Sequence, residues 1–188
     1  MSTEFASAEL TVGQLNAFVK KAGGKDVVLG VLRGTKEIVI KTISYSVATY
    51  TILVDETKMV EELVEDGSFD WSNDNTVSTN FTKPEGGSTS EKDMGIFHFG
   101  ENISSEDAIA KMKAEGYRPA TIWDLLGFAK KHPDLQREFP IVALGSVAIV
   151  TGFRRVAFLY GSGSECGLDL GYLDVVWGGG CRFLAVRK

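Results

Sequence analysis

A glycine-rich stretch near the C-terminus places the strongest limit on how this chain can fold. Residues Leu159 to Cys181 contain seven of the 21 glycines of the 188-residue chain, at positions 161, 163, 167, 171, 178, 179 and 180. This stretch offers little apolar area and many polar groups that need partners, so it cannot form a hydrophobic core by itself. We therefore expect a long surface segment, neither helix nor ordinary strand, that rests on a domain built from other residues.

A few apolar residues in and after this stretch are suited to anchor it. Leu168 and Leu170 are two positions apart, as one face of a strand requires, and Trp177 and Phe183 follow. The tyrosine, serine, glycine and aspartate residues between them have the makeup of an antibody paratope, in which tyrosine gives contact area and small polar residues adapt. A plain flexible loop has the same composition, so composition alone leaves both interpretations open.

The rest of the chain predicts an α+β fold. Capping residues Thr11, Ser104 and Thr121 each precede a helical pattern of apolar residues, and another helical pattern covers 26–32. A further helical turn is predicted at 134–138. Runs rich in β-branched residues predict strands at 38–43, 47–54, 95–99, 141–144, 147–151, 155–159 and 183–186.

A polar stretch from Asp66 to Lys92 predicts a linker, and we place a domain boundary near Gly87. This divides the chain into an N-terminal accessory region, residues 1–87, and a C-terminal domain, residues 88–188.

Charge and hydropathy exclude several classes of function. The net charge is −5, with lysine and arginine scattered along the chain, whereas a nucleic-acid-binding protein needs a basic face. The longest apolar run, residues 141–150, is too short to cross a bilayer, so we expect no membrane insertion. Residues 1–10 lack the basic and apolar parts of a secretion signal.

The two cysteines, Cys166 and Cys181, lie far in sequence from His98 and His132, and the chain has no Cys-x-x-Cys motif. We therefore expect two free thiols, no metal site and no cofactor. The sequence leaves a disulfide between them open.

Three segments of the second half carry a resemblance to a known family. These are residues 116–126 (GYRPATIWDLL), residues 141–146 (IVALGS) and the closing residues 182–188 (RFLAVRK). In this order they resemble the variable proteins of diversity-generating retroelements, most closely those of archaeal viruses, nanosized archaea and candidate-phylum bacteria. Residues 11–34 are similar to a leader segment common in that group.

The resemblance implies a C-type-lectin-like fold in the C-terminal domain, with a variable region of about residues 155–188 whose surface is diversified by error-prone reverse transcription at adenines, usually in AAY codons. Changes at those adenines reach most residue types found in the tail, although Glu165 cannot be reached. The resemblance thus implies Leu168, Leu170, Trp177 and Phe183 as scaffold. It implies as variable, ligand-contacting surface Tyr160, Ser162, Ser164, Cys166, Asp169, Gly171, Tyr172, Asp174, Val175, Val176, Gly178, Gly180 and Cys181.

The function that follows is the binding of an unidentified macromolecular ligand, which we expect to be a protein, without catalysis. The protein would be displayed on a virion or a cell surface, and a monomer is favoured. One alternative is an oxidase of the formylglycine-generating type, which shares the fold and would bind copper through Cys166 and Cys181. A structural virion protein with a flexible tail is another. The chain lacks the triplets of calcium-dependent lectins and a nucleophile elbow with its triad partners.

Overall fold

The computed structural model describes residues 11–36 and 45–188, and its contacts divide the chain into two compact units, Met1–Ile43 and Ser44–Lys188. The first unit contains helices α1 (Val12–Lys21) and α2 (Lys25–Leu32). The predicted cap at Thr11 is confirmed and forms a capping box, because the Thr11 hydroxyl accepts from the Gln14 N–H and the Gln14 side chain accepts from the Thr11 N–H. Gly23 and Gly24 follow α1 with positive φ angles of 93° and 101°. The strand predicted at 38–43 lies outside the described residues.

The second unit is a mixed α+β domain. Its helices are α3 (Val60–Gly67), α4 (Ser105–Ala114), α5 (Ile122–Lys131) and α6 (Leu135–Glu138). Its strands are β1 (Ser46–Asp55), β2 (Trp71–Ser72), β3 (Thr89–His98), β4 (Ile103–Ser104), β5 (Tyr117–Pro119), β6 (Ile141–Val142), β7 (Ala148–Val150), β8 (Phe153–Ser162), β9 (Glu165–Tyr172), β10 (Val176–Trp177) and β11 (Arg182–Arg187). The predicted α+β class is confirmed, as are the helix starts at Ser104 and Thr121, whose hydroxyls accept the N–H of Asp107 and Asp124.

One large sheet organises the second unit. The strand order is β1-β3-β11-β6-β8-β9-β2, with β5 added beside β11 and β7 beside β8. The pairs β11–β6 and β2–β9 are parallel and the others are antiparallel. A separate two-stranded sheet joins β10 to β4.

Successive residues of the sheet strands contribute to two core clusters, because adjacent side chains of a strand point to opposite faces. On the first face, Ile96, Ile141 and Leu159 pack with α3 and α5. On the second face, Phe97, Val142 and Val156 pack with α4 and with Leu173 and Trp177. Both faces are therefore covered where the β6 and β11 strands lie, and this rigid centre supports β8 and β9 at the side of the sheet.

The observed division of the chain differs from the predicted boundary near Gly87. Strand β1 pairs with β3 over ten residues, from Ser46 opposite His98 to Asp55 opposite Thr89. Residues 46–86 therefore belong to the second unit, and the predicted linker 66–92 contains the end of α3, all of β2 and the start of β3. Residues 66–92 have a polar composition because elements at the side of a sheet bury few of their side chains, and this composition led to the linker prediction.

The glycine-rich stretch also differs from its prediction. Residues 159–172 are ordinary antiparallel sheet, since β8 pairs with β9 from Arg155 opposite Tyr172 to Ser162 opposite Glu165. Gly163 makes the tight turn between the strands with a φ angle of 62°, which glycine adopts without the steric cost of a side chain. Residues 173–181, whose only regular element is the two-residue strand β10, connect β9 to β11, and this segment is named the crossing loop.

Candidate functional site

The four predicted scaffold residues are all buried. Leu168 and Leu170 are 0% and 5% exposed and belong to the core cluster of the first sheet face. Trp177 and Phe183 are 8% and 1% exposed and belong to the cluster of the second face, with their ring centroids 6.3 Å apart. These four side chains therefore anchor β9, the crossing loop and β11 to the domain.

Most of the predicted surface positions are accessible. The exposed ones are Ser162, Ser164, Tyr172, Asp174, Val175, Val176, Gly178 and Gly180, and the half-buried ones are Tyr160, Asp169, Gly171 and Cys181. Ser162 and Ser164 lie at the β8–β9 turn, Tyr172 ends β9, and the others from Asp174 to Gly180 line the crossing loop.

Two of the predicted surface positions need correction. Cys166 is only 6% exposed, with its sulfur 3.5 Å from the Pro133 carbonyl oxygen, because it lies on the same strand face as Leu168. Gly171 lies under the Trp177 ring, where a Cβ atom would come within 2.6 Å of the ring edge. Neither position can present a varied side chain to a ligand without repacking the core.

The remaining positions do not form one patch. Tyr160 neighbours Leu159 of the first-face cluster and so points to the second face, whereas Tyr172 shares the first face with Leu170. Tyr160 lies opposite Gly167, five residues before Tyr172, which corresponds to about 17 Å along the strand. The two tyrosines that we expected to provide joint contact therefore belong to different surfaces.

The first of these surfaces is a row of aromatic rings on the second sheet face. The Tyr160 ring centroid lies 5.8 Å from that of Phe158 and 6.4 Å from that of Trp71. Tyr160 lies flat across Gly167, where a Cβ atom would approach its ring within 2.4 Å. Trp71 is 48% exposed. We call Trp71, Phe158, Tyr160, Gly167 and Asp169 the aromatic face.

The second surface lies at the end of β9 and is named the strand-end group: Phe153, Tyr172, Asp174, Val175 and Val176. The Phe153 and Tyr172 rings meet edge to face with centroids 5.5 Å apart. Phe153, Tyr172, Val175 and Val176 are between 40% and 65% exposed, which is unusual for large apolar side chains so close together in sequence and pairing.

Two arginines border the strand-end group. The Arg155 guanidinium lies 3.4 Å above the Tyr172 ring and donates to the Leu170 carbonyl oxygen at 3.1 Å. Arg154 pairs with Asp174, and this hydrogen-bonded carboxylate raises the pKa of Arg154 further above its usual value. Arg154 is therefore held by the carboxylate of Asp174, and Arg155 is the arginine that lies against the aromatic ring of this group.

Residues outside the tail hold the backbone of the crossing loop. The buried Ser105 hydroxyl donates to the Leu173 carbonyl oxygen at 2.6 Å and accepts the Trp177 indole N–H at 2.9 Å. Gly179 donates its N–H to the Asn102 side chain at 3.1 Å, and its carbonyl oxygen lies 3.0 Å from His98 Nε2. The path of the loop is thus fixed by β3, the segment before β4, and the start of α4.

The segment around β2 holds strand β9 in the same way. Asp70 exchanges hydrogen bonds with the backbone of Cys166, through its own N–H and through its carboxylate, at 2.9 and 2.7 Å. Asn73 donates its backbone N–H to the Leu168 carbonyl oxygen and its side-chain amide to Asp169 at 2.8 Å. Sequence reasoning missed this segment, because a two-residue parallel pairing across 96 positions leaves no local pattern to find.

The three consecutive glycines of the crossing loop have different surroundings. A Cβ atom at Gly178 or Gly180 would meet nothing within 4 Å, whereas one at Gly179 would lie 3.2 Å from the backbone of Gly100 and Glu101. Gly178 and Gly180 therefore have open space for a side chain, whereas a side chain at Gly179 would need the backbone of residues 100 and 101 to shift.

Neither thiol has the features of a reactive cysteine. Both are free, Cys166 is buried, and burial raises the pKa of Cys181. A reactive thiol needs a lowered pKa, because the thiolate is the nucleophile and the metal ligand. Within residues 11–36 and 45–188, no group of three or more histidine, cysteine, aspartate and glutamate side chains could hold a metal ion.

A cavity of about 320 Å³ opens beside the free edge of β9. Asn73, Asn75, Thr151, Arg155 and Asp169 contribute to its lining. It is polar and lies between the aromatic face and the strand-end group, since it contains Asp169 of the first and Arg155, which borders the second.

Of the helices that the structure describes, none is long and apolar enough to cross a membrane.

No known protein family, curated protein or solved structure matches this chain.

Proposed function

We propose that the protein is a binding module of C-type-lectin-like fold whose C-terminal surface is diversified by a retroelement, and that it has no catalytic role. The variable surface consists of the accessible positions of β8, β9 and the crossing loop: Tyr160, Ser162, Ser164, Asp169, Tyr172, Asp174, Val175, Val176, Gly178, Gly180 and Cys181. The buried Cys166 and the packed Gly171 are left out of it.

One observation carries this proposal, namely that side chains outside the variable tail hold the tail's backbone. Ser105, Asn102 and His98 contact the backbone of the crossing loop, and the Asp70 carboxylate accepts the backbone N–H of Cys166 in β9. A surface that must accept many different side chains has to keep its shape when they change. Hydrogen bonds from side chains outside the tail to the tail's backbone meet that requirement, because they do not depend on what the exposed positions carry.

The energetics of substitution support the same division of the tail. Exposed substitutions change stability by less than about 0.5 kcal/mol, whereas truncation of a buried leucine or aromatic residue costs about 2 to 5 kcal/mol. The tail contains both classes: residues 166–168 are buried, and farther along the tail the buried Leu170 and Trp177 each lie between accessible neighbours. Diversification at the accessible positions therefore leaves most variants folded.

Asp169 is the accessible position most strongly coupled to the fold. Its carboxylate accepts the Asn73 amide at 2.8 Å and the Leu170 N–H at 2.7 Å. A net loss of about 0.5 to 1.5 kcal/mol per hydrogen bond is expected when it is replaced by an apolar residue. We expect variation there to be tolerated at a measurable cost.

A protein is the ligand class that this surface suits best. Exposed tyrosine and tryptophan beside small, adaptable residues are the makeup of paratopes, in which aromatic side chains give contact area at a low entropic cost. Trp71 supplies such a side chain from outside the variable tail, so it would act as a constant contact while Tyr160 changes. Trp71 is therefore the residue that we add to the predicted binding surface.

The experiment that tests the proposal compares two libraries displayed on yeast. The first randomises Ser162, Ser164, Gly178 and Gly180, and its control randomises Cys166, Leu170, Gly171 and Trp177. Resistance to protease measures the folded fraction of each library. We expect most members of the first library and few of the control to stay folded, and we expect selection on unrelated proteins to yield binders from the first. Equal loss of folding in both libraries would contradict the proposal.

A further inference from the structure

The helices of the first unit leave large apolar side chains in contact with solvent. Val12, Leu15 and Phe18 of α1 are 75%, 48% and 46% exposed, and α1 contains no buried residue. Their three-residue spacing puts them on one side of the helix. Leu32, at the end of α2, is 77% exposed. Helices of ten and eight residues are marginal in water, so this unit gains stability when its apolar side is covered.

The described helices carry most of the basic side chains of this unit. Residues 11–36 contain five basic side chains and one acidic one, a formal charge of +4, and the whole unit, residues 1–43, has six basic and four acidic side chains, a formal charge of +2 in a chain whose net charge is −5. All five basic side chains are exposed: Lys20, Lys21, Lys25, Arg33 and Lys36. Lys20 and Lys21 directly follow the apolar positions of α1, so charge and apolar surface occur on one short helix.

This combination selects one kind of partner. A second copy of the chain would bring the same basic helices against the first, and this like charge opposes association through this unit. A nucleic acid would neutralise the charge but would leave the apolar side in water. An anionic lipid surface accommodates both the basic side chains and the apolar side of α1, because lysines contact the headgroups while apolar side chains enter the boundary with the acyl chains.

We propose that the first unit docks the protein on an anionic bilayer surface, with Val12, Leu15 and Phe18 at the depth of the headgroups and Lys20 and Lys21 against the lipid phosphates and carboxylates. The helices lie along the surface and do not cross it. This role is separate from ligand binding by the tail, since it uses neither the aromatic face nor the strand-end group. It gives the binding module a place of attachment.

The test measures partition of the full chain between water and vesicles, made either of phosphatidylcholine alone or of phosphatidylcholine with phosphatidylserine. We expect binding that needs phosphatidylserine and weakens as salt is added. Each lysine near an anionic surface strengthens the partition about fivefold, so Lys20→Gln with Lys21→Gln should weaken it about 25-fold. The matched control is Lys113→Gln with Lys188→Gln, two exposed lysines of the second unit, which should leave it unchanged.

A second pair of variants tests the apolar contribution. Leu15→Ser with Phe18→Ser should abolish the partition, while circular dichroism and thermal unfolding report whether the second unit is intact. The proposal is overturned if the unmodified chain does not bind phosphatidylserine vesicles, or if both lysine pairs act alike. A third outcome would also overturn it. In that outcome the unmodified chain does not bind vesicles but self-associates by light scattering, and Leu15→Ser with Phe18→Ser abolishes the self-association.

Discussion

Substitution of the three consecutive glycines of the crossing loop gives a sharp prediction, because the glycines are neighbours in sequence but differ in how much room each leaves for a side chain. A Cβ atom at Gly178 or Gly180 meets no atom within 4 Å, so Gly178→Ala and Gly180→Ala should change the free energy of unfolding by less than about 0.5 kcal/mol. Gly179→Ala places its Cβ 3.2 Å from the backbone of residues 100 and 101, which cannot move aside without shifting the start of β4. We expect it to cost about 1 to 3 kcal/mol, the usual range for overpacking.

Urea unfolding followed by tryptophan fluorescence measures these differences. Gly171→Ala serves as a second costly substitution, because its Cβ would meet the Trp177 ring at 2.6 Å. For a chain of this length, 1 kcal/mol corresponds to roughly 2–4 °C in Tm, so thermal unfolding provides an independent reading. If Gly178→Ala or Gly180→Ala destabilised the protein as much as Gly179→Ala, the separation between open and packed tail positions would be refuted.

Three further predictions follow from the anchoring and the charges of the second unit. Ser105→Ala removes the hydroxyl that bonds both the Leu173 carbonyl oxygen and the Trp177 indole N–H, and it should lower the free energy of unfolding in urea by about 1–3 kcal/mol. The control Ser162→Ala, at an exposed position, should leave that free energy unchanged. Equal effects of the two substitutions would contradict the anchoring of the crossing loop by Ser105. Burial by itself raises the pKa of Asp124, but hydrogen bonds and charge from Arg118 outweigh it and leave that pKa below its usual 3.8. Asp124 therefore contributes stability above about pH 4 that is lost as the pH falls through its lowered pKa, and Asp124→Asn should flatten the acid limb of a stability–pH curve. An aromatic disulfide reagent should modify the half-buried Cys181 before the buried Cys166, which reacts only on unfolding, and mass spectrometry of the modified peptides would reveal the reverse order.

Local signals made much of the fold predictable. Ser104 and Thr121 cap helices because their hydroxyls accept backbone N–H groups, a pattern that needs only neighbouring residues. The burial of Leu168 and Leu170 follows from their alternation on one strand. By contrast, α3 was not predicted, because its cap position is Met59 and not a serine, threonine or aspartate. Its first N–H groups are accepted instead by Glu62, which bonds the Met59 N–H, and by the Ser78 hydroxyl, which bonds the Val60 N–H.

Long-range pairing limits what the sequence can predict about the site. Trp71 joins the aromatic face only because β2 pairs with β9, and nothing near Trp71 indicates that partner. The resemblance implied Cys166 as a surface position, but the residue lies on the buried side of β9. The strand register decides which face each residue occupies, and the sequence alone did not give that register. The strand register also places Tyr160 and Tyr172 on opposite faces of the sheet, although both belong to the β8–β9 hairpin.

Sequencing the 3′ end of this gene across its native population tests the central claim most directly. We predict variation at codons for accessible positions such as Ser162, Asp174, Gly178 and Gly180, concentrated at adenine-derived bases. The codons for the anchors Leu168, Leu170, Trp177 and Phe183 should be constant, and so should those for Cys166 and Gly171. Uniformly low variation across residues 160–181, or variation as frequent at the anchors as at the accessible positions, would contradict the account.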